Sequence, residues 1–296
     1  MLMDAHVHFI PEVISKNTSF YKGVWADKYK LFSYLDENDI AKALLCYPST
    51  DAHLRMGGFT AVCNEYNNAI EALLKENEKL CAAALISIND VSSAVSEIEN
   101  LKKRGFKAVN IASSENGMFE IKEMIPVFEA ASEKDLFIFV HPQTFNPIGY
   151  ERVNDPLLMP VLEYSFDVSM FMGLLMMEDV FSKCGAKFVF SSLGGVMPFM
   201  KDRFDRVYSM LRTRGMVKDL GALPSEILKK VYVDTSGAPV ANIKLAINMF
   251  GADNVLWGSD YPVCGDIKTE IDSLQLLGPE ICSKILHENF EKVFGQ

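Results

Sequence analysis

The sequence predicts an α/β fold of the (β/α)8 TIM-barrel class, and three observations carry that prediction. Eight short, nearly continuous apolar runs alternate with segments of helical period along the 296 residues, as parallel strands buried on both faces require. No Gly-x-Gly-x-x-Gly follows the first run, which argues against an open dinucleotide-binding sheet. The length suits one undivided barrel, so residues 1–296 are expected to form a single domain.

Taken in order, the strand-like runs are 2–9, 42–47, 81–87, 108–112, 136–141, 187–192, 230–235 and 254–259. An irregular excursion over 10–32, with Pro11, Gly23 and several aromatics, precedes a short helix expected near 33–39. Residues 62–80 place Ala69, Ile70, Leu73 and Leu74 on one helical face. Residues 91–103 do the same with Val91, Val95, Ile98 and Leu101, and 121–134 with Ile125, Phe128 and Ala131. Asn89-Asp90 offers an N-cap to the second of these, and Gly105 closes it behind Lys102, Lys103 and Arg104. A second excursion, 142–162, carries Pro142, Pro147, Pro156 and Pro160. Helices are then expected over 166–184, 198–214, 239–250 and 279–293, with Phe171, Met172, Leu174, Met176 and Met177 read as core.

Composition removes several function classes. Thirty-nine acidic against 29 basic residues leave a formal charge of −10, spread along the chain without a basic stripe, so a nucleic-acid partner is not expected. The most apolar stretch, 170–177, is too short to cross a membrane. The start, MLMDAHVHFIPE, lacks the basic flank and unbroken apolar run of a signal peptide. Cys46, Cys63, Cys81, Cys184, Cys264 and Cys282 lie far apart without Cys-x-x-Cys spacing. Reduced, mostly buried thiols in a cytoplasmic protein are the expectation.

Chemistry gathers at the strand ends, which in such barrels converge on one mouth. His6 and His8 close the first run, His141 closes the fifth and Asp260 follows the eighth. In an extended strand, side chains at i and i+2 share a face, so His6 and His8 can reach one ion. Neutral imidazoles with a carboxylate suit Zn2+, with Mn2+ as the alternative. Trp25 is a candidate for the mouth and Trp257 for the core. Asp234 ends the seventh run as a candidate support, and Ser236-Gly237 reads as a turn.

An ordered series of motifs then resembles one family over nearly the whole chain. The pieces are MDAHVHFIPE at 3–12, FVHP at 139–142, SSLGGVMPFMKDR at 191–203, VYVDTSG at 231–237, VLWGSDYP at 255–262 and ENFEKVFG at 288–295. Together they resemble the amidohydrolase superfamily, in the amidohydrolase-related branch that includes aminocarboxymuconate semialdehyde decarboxylase and γ-resorcylate decarboxylase. The resemblance implies that His6, His8, His141 and Asp260 hold the metal. It implies one ion rather than two, because the fourth run ends Asn110-Ile111-Ala112-Ser113 without the bridging lysine, and Lys107 lies at its other end.

The family's sixth strand closes on His-x-Gly-Gly, and this chain has Ser192-Leu193-Gly194-Gly195. Serine cannot replace a histidine as a base without a partner, a loss that typically costs about 10²–10⁴-fold. His53 and His287 read as surface or helix-packing residues. By the same resemblance Arg203 reaches a substrate carboxylate, in some members across a homodimer interface; an ion pair with Asp202 or Asp205 is the plain alternative. Arg55 and Arg152 read as solvated loop cations.

Asp260 is then expected both to bind metal and to shuttle a proton. The implied activity is decarboxylation of a small unsaturated or aromatic acid. Hydrolysis of a lactone, ester or amide is the close competitor, and a metal- or ligand-binding barrel without turnover is the third reading.

Overall fold

The computed structural model describes residues 1–295 except 89, 116–119, 153–154 and 264, so Asn89 of the expected cap and Cys264 lie outside the described residues. Eight parallel strands pair in sequence order: β1 (Leu2–His8), β2 (Ile40–Cys46), β3 (Leu80–Leu85), β4 (Ala108–Ala112), β5 (Phe137–His141), β6 (Phe188–Phe190), β7 (Tyr232–Asp234) and β8 (Val255–Leu256). The barrel closes where β1 meets the segment following β8. Ala5 N–H donates to Trp257 O at 2.9 Å, Asp260 N–H to His6 O at 3.0 Å and His8 N–H to Tyr261 O at 2.8 Å. The (β/α)8 barrel expected from the alternation is the fold observed.

Helices α1 (Glu12–Ser15), α2 (Lys28–Glu37), α3 (Phe59–Leu74), α4 (Val91–Leu101), α5 (Ile121–Glu133), α6 (Tyr164–Met177) and α7 (Val180–Lys183) surround the first six strands. They are followed by α8 (Met197–Thr213), α9 (Pro224–Ile227), α10 (Val240–Phe250), α11 (Ile267–Leu274), α12 (Pro279–Ser283) and α13 (Asn289–Phe294). The core has two parts. Met3, Leu44, Phe139, Val189 and Leu256 fill the barrel, floored by Phe290 and Phe294 of α13. A larger cluster, with Ile70, Ile98 and Phe128, lies between strands and helices.

Several boundaries differ from expectation for local reasons. The excursion after β1 contains α1 and a 3₁₀ turn, Gly23–Ala26. The helix expected near 33–39 begins earlier, because the Asp27 side chain accepts from Tyr29 N and Lys30 N and nucleates α2. The expected 62–80 helix ends at Leu74. The helix expected over 166–184 starts earlier, at Tyr164 behind a π-helical turn, Met159–Glu163, and breaks where Asp179 adopts φ 65°. Leu174, read as core, is instead exposed, whereas Phe171, Met172 and Met176 are buried. Residues 279–293 form three pieces around a π-helical turn, Lys284–Glu288. α11, capped by Asp266, had no expectation. Asp90 caps α4 by accepting from Ser93 N. The described cysteines are free thiols, all buried except Cys184, and no helix among the described residues is long and apolar enough to cross a membrane.

One irregularity positions the site. Met3 and Ala5 of β1 point into the barrel, whereas Val7 packs in the outer cluster. Strict alternation from Met3 would turn His6 and His8 outward. Pairing with β2 shifts register between Asp4 and Val7, a bulge-like irregularity that reverses the alternation. The His6 ring accordingly meets the interior Phe139 at 5.4 Å between centroids.

Glu270 of α11 accepts from Trp257 Nε1 at 2.9 Å. Burial pushes its carboxyl up to about 7, against the Trp257 hydrogen bond and with the charge of Asp4 adding to the rise. The folded chain thus retains a proton that the unfolded chain releases above its ordinary value of 4.5. This contribution to stability is present at low pH and is lost as pH rises through about 7. Glu270→Gln keeps an oxygen acceptor for Trp257. It should raise the melting temperature at pH 8, change it little at pH 4.5, and so flatten the pH dependence in thermal melts. Asp4, pushed by burial to about 6, leaves a residual slope of the same sign.

Candidate metal centre

Three imidazoles meet at the barrel mouth, two from the end of β1 and one from the last residue of β5. His6, His8 and His141 are buried, and their ligand atoms lie within 4.8 Å of one another. Each Nδ1 is occupied. His6 Nδ1 faces Asp234 Oδ2 at 3.0 Å and Ser236 Oγ at 2.9 Å, His8 Nδ1 faces Cys46 O at 2.9 Å, and His141 Nδ1 faces Pro142 O at 2.8 Å. A carbonyl oxygen only accepts, so the rings of His8 and His141 carry hydrogen on Nδ1 and offer the Nε2 lone pair. The Asp234 carboxylate imposes the same tautomer on neutral His6. His6 Nε2 and His8 Nε2 then stand 3.0 Å apart, a separation that one shared proton or one shared cation bridges.

The fourth group arrives from the loop after β8. Asp260, at φ 64° in the left-handed region, brings Oδ1 to 3.2 Å from His8 Nε2 and 3.5 Å from His6 Nε2. Burial works against charge on all three rings. Asp234, Cys46 and Asp260 nevertheless hold His6 well above its ordinary value, and Cys46 and Asp260 lift His8 to about 9. His141 is pushed well below, by burial and by the other two rings. Burial alone would raise the Asp260 carboxyl, but the charges of His6 and His8 pull it down to about 2. The mouth is a place that favours positive charge.

The surroundings support the same donor set. Trp25 stacks on His8 at 5.7 Å between centroids. Asp234 Oδ1 accepts from Ser236 Oγ at 2.6 Å and from Ser192 N at 3.1 Å, so one carboxylate ties His6 to the ends of β6 and β7. Ser191 follows inward-facing Val189 by two residues and bonds through its N–H to Val140 O at 3.1 Å. Its buried Oγ has no hydrogen-bond partner among the described residues. A buried hydroxyl left over at the end of β6 is a polar group that a further ligand could satisfy.

A family profile described as amidohydrolase matches residues 3–296. The chain belongs to the amidohydrolase family. It is 22% identical over 205 residues to 2-amino-3-carboxymuconate-6-semialdehyde decarboxylase of Dictyostelium discoideum. That match takes in 66% of this chain and 55% of the relative, so the chain is matched to only about half of that protein's length. Among solved structures, the fold is similar to 5-carboxyvanillate decarboxylase of Novosphingobium aromaticivorans, complexed with manganese and 4-hydroxy-3-methoxy-5-nitrobenzoic acid. The TM-score is 0.85 at 19% identity, covering 100% of this chain and 96% of the other. It is also similar to 2,6-dihydroxybenzoate decarboxylase from Rhizobium, with a TM-score of 0.80 at 17% identity and coverage of 100% and 99%. At those identities the likeness carries the fold.

Other residues singled out from the sequence fall in varied places in this amidohydrolase. Ser192 is half-buried at φ 53°, beside the site through its backbone N–H. Arg203 lies exposed on α8 with no ion pair among the described residues, and Asp205 instead binds Ser225. Arg55 is held by Asp51 and Asn17 O, and Arg152 pairs with Glu163. Gly194 and Gly195 turn the chain at φ 70° and 68°; a Cβ on Gly195 would meet Ser165 O at 2.1 Å. His287 lies in the Lys284–Glu288 turn.

Three residues were underread. Ser236 is not merely a turn residue, since it bonds both His6 and Asp234. Cys46, read as a small hydrophobe, brings Sγ to 3.5 Å from His8 Nδ1. His53, read as a surface histidine, lines a cleft at the mouth. Only the Asp-Thr-Ser-Gly string could have signalled the first.

Asp234→Asn should leave the fold intact and weaken Zn2+ or Mn2+ binding by roughly 10–100-fold, the usual effect of removing a ligand's outer partner. Titration calorimetry checks this, and unchanged affinity would show that the carboxylate does not orient His6.

Proposed function

We propose that this amidohydrolase is a mononuclear metal-dependent decarboxylase acting without oxidation on a small unsaturated or aromatic carboxylic acid, with Zn2+ as the ion and Mn2+ as its alternative. The observation that carries the reading is the fixed tautomer of three imidazoles, all aimed at one point with Asp260 beside it. The described relatives, by name, decarboxylate acids of this class.

His6, His8, His141 and Asp260 would hold the ion. When bound, it supplies a Lewis acid that holds a substrate oxygen. The chain's own residues do the rest. Asp260, a third exposed at the floor of the mouth and ionised beside His6 and His8, would accept a proton at its carboxylate and pass it toward the reacting carbon. Arg203, unpaired on α8, is assigned to a substrate carboxylate, for which planar bidentate pairing suits arginine. Trp25 shields the His8 face from water. The ends of β2 to β4 and Gln143 after β5 also line a small open cleft, with Phe59, Ile86, Ile88 and Ala112 beside Ser49, Thr50, His53, Ser114 and Glu115. Its apolar side chains would pack against an unsaturated ring or chain and its polar ones would orient it.

Ser192 favours a second reading. Without an imidazole at that strand end, the same ligands serve hydrolysis of a lactone, ester or amide, or binding without turnover. Carbon dioxide release from hydroxybenzoates and muconate-type acids separates these outcomes. The metal-loaded protein should release it, and Asp260→Asn should lose at least about 10²-fold in kcat with the metal retained. Turnover of esters alone sinks the decarboxylase reading. Inactivity of the native chain, together with strong activity of Ser192→His, selects binding without turnover.

A further inference from the structure

Two of the three imidazoles are held by backbone carbonyls, and each of those carbonyls belongs to a peptide with a second end. A peptide group is planar, and in the trans form its C=O and N–H point opposite ways. The oxygen that holds His8 belongs to the Cys46–Tyr47 peptide, whose N–H donates to Asn110 Oδ1 at 2.7 Å. The oxygen that holds His141 belongs to the Pro142–Gln143 peptide, whose N–H donates to Asp167 Oδ2 at 3.1 Å. Behind each ring, therefore, one peptide and one buried side chain stand in line. His6 has the shorter version, with Asp234 on Nδ1 itself.

Asp167 is 1% exposed although it lies on an outer helix, α6. A buried carboxyl is costly unless hydrogen-bonded, and this one takes four donors. Oδ1 accepts from Ser114 Oγ at 2.6 Å and Ile148 N at 2.9 Å, and Oδ2 from Gln143 N and Ser113 Oγ. All four come from the segments after β4 and β5, so the carboxyl clamps two strand ends and turns its own face of α6 inward. Ser113 tightens the clamp: its Oγ also accepts from Gln143 N at 3.2 Å, and its N–H donates to His141 O at 2.9 Å. Anchoring of α6 alone would account for Asp167. It does not account for Asn110, fully buried in β4, meeting the corresponding N–H behind a different ring. β4 carries none of the presumed metal ligands, yet with Ser113 just past its end it supports both peptides.

We propose that Asn110 and Asp167 are positioning residues for His8 and His141, each acting through one peptide group. The tautomers are not at stake, because a carbonyl oxygen only accepts. What the two side chains set is the plane of each carbonyl, and with it the direction in which Nε2 points. An acceptor on the N–H also polarises the peptide and strengthens its oxygen in turn, which makes the ring a better donor of its Nε2 lone pair. All three rings then have a side-chain oxygen behind them, directly for His6 and one peptide removed for His8 and His141.

Magnetic resonance of the histidine ring N–H groups in the metal-free chain tests this without turnover. The native protein should show slowly exchanging Nδ1 protons on His8 and His141. Asn110→Ala should speed exchange at His8 about tenfold and spare His141, and Asp167→Ala should do the reverse. Ser114→Ala, which takes a donor from the other oxygen of Asp167, should move neither. Zn2+ affinity by titration calorimetry should fall roughly 10–100-fold in the first two variants and hold in Ser114→Ala, with circular dichroism unchanged. Should Asp167→Ala not fold, Ser113→Ala reads the same ring and should speed exchange at His141 alone. Unchanged exchange in these variants overturns the proposal, and so does equal loss at both rings, the mark of general loosening. Only the affinity measurement rests on the metal centre proposed for this chain. Both ring effects in a protein that binds no Zn2+ would sink that centre and leave the positioning roles standing.

Discussion

Three Nδ1 hydrogens, each given to an oxygen, decide what the barrel mouth can do. With Nδ1 engaged by Asp234, Cys46 O and Pro142 O, the Nε2 lone pairs of His6, His8 and His141 have one direction left, and they share it. Two of the three acceptors are backbone carbonyls at strand ends. The tautomers of His8 and His141 are therefore fixed by the barrel itself and cannot be lost through substitution of a side chain. Only His6 depends on a side-chain carboxylate for its tautomer, which explains how much of the surrounding hydrogen bonding passes through Asp234.

The strand-ordered part of this arrangement was legible in the sequence because apolar runs and chemistry-bearing residues coincide. His141 ends β5 where FVHP implies it, and Asp260 follows β8. The His6/His8 pairing was also legible, but for an incomplete reason. Alternation explains why the two share a face; the shifted register near Asp4 explains which face. Nothing in LMDAHVHF announces that shift, since Asp4, Ala5 and Val7 are all buried and suit either side. Contacts between distant segments were least legible. Ser236 on His6, Cys46 on His8 and His53 at the cleft are tertiary juxtapositions with no local signature. Leu174 failed as core for a related reason: the clamp made by Asp167 determines which face of α6 is inner, and hydrophobicity spread all round that helix could not.

The end of β6 bears on the Asp234 carboxylate. Serines stand at 191 and 192, one with a buried hydroxyl lacking a partner and one with its N–H given to Asp234.

The reversed alternation in β1 has a wider meaning. Below it, Met3 and Ala5 belong to the packed interior; above it, His6 and His8 belong to the mouth. A single step in hydrogen-bond register separates the two within seven residues. Deleting one residue there would expel both imidazoles to the helix side while leaving composition and apolar pattern almost unaltered, so a homologue could lose its reactive centre through a change that no inventory of its side chains would reveal.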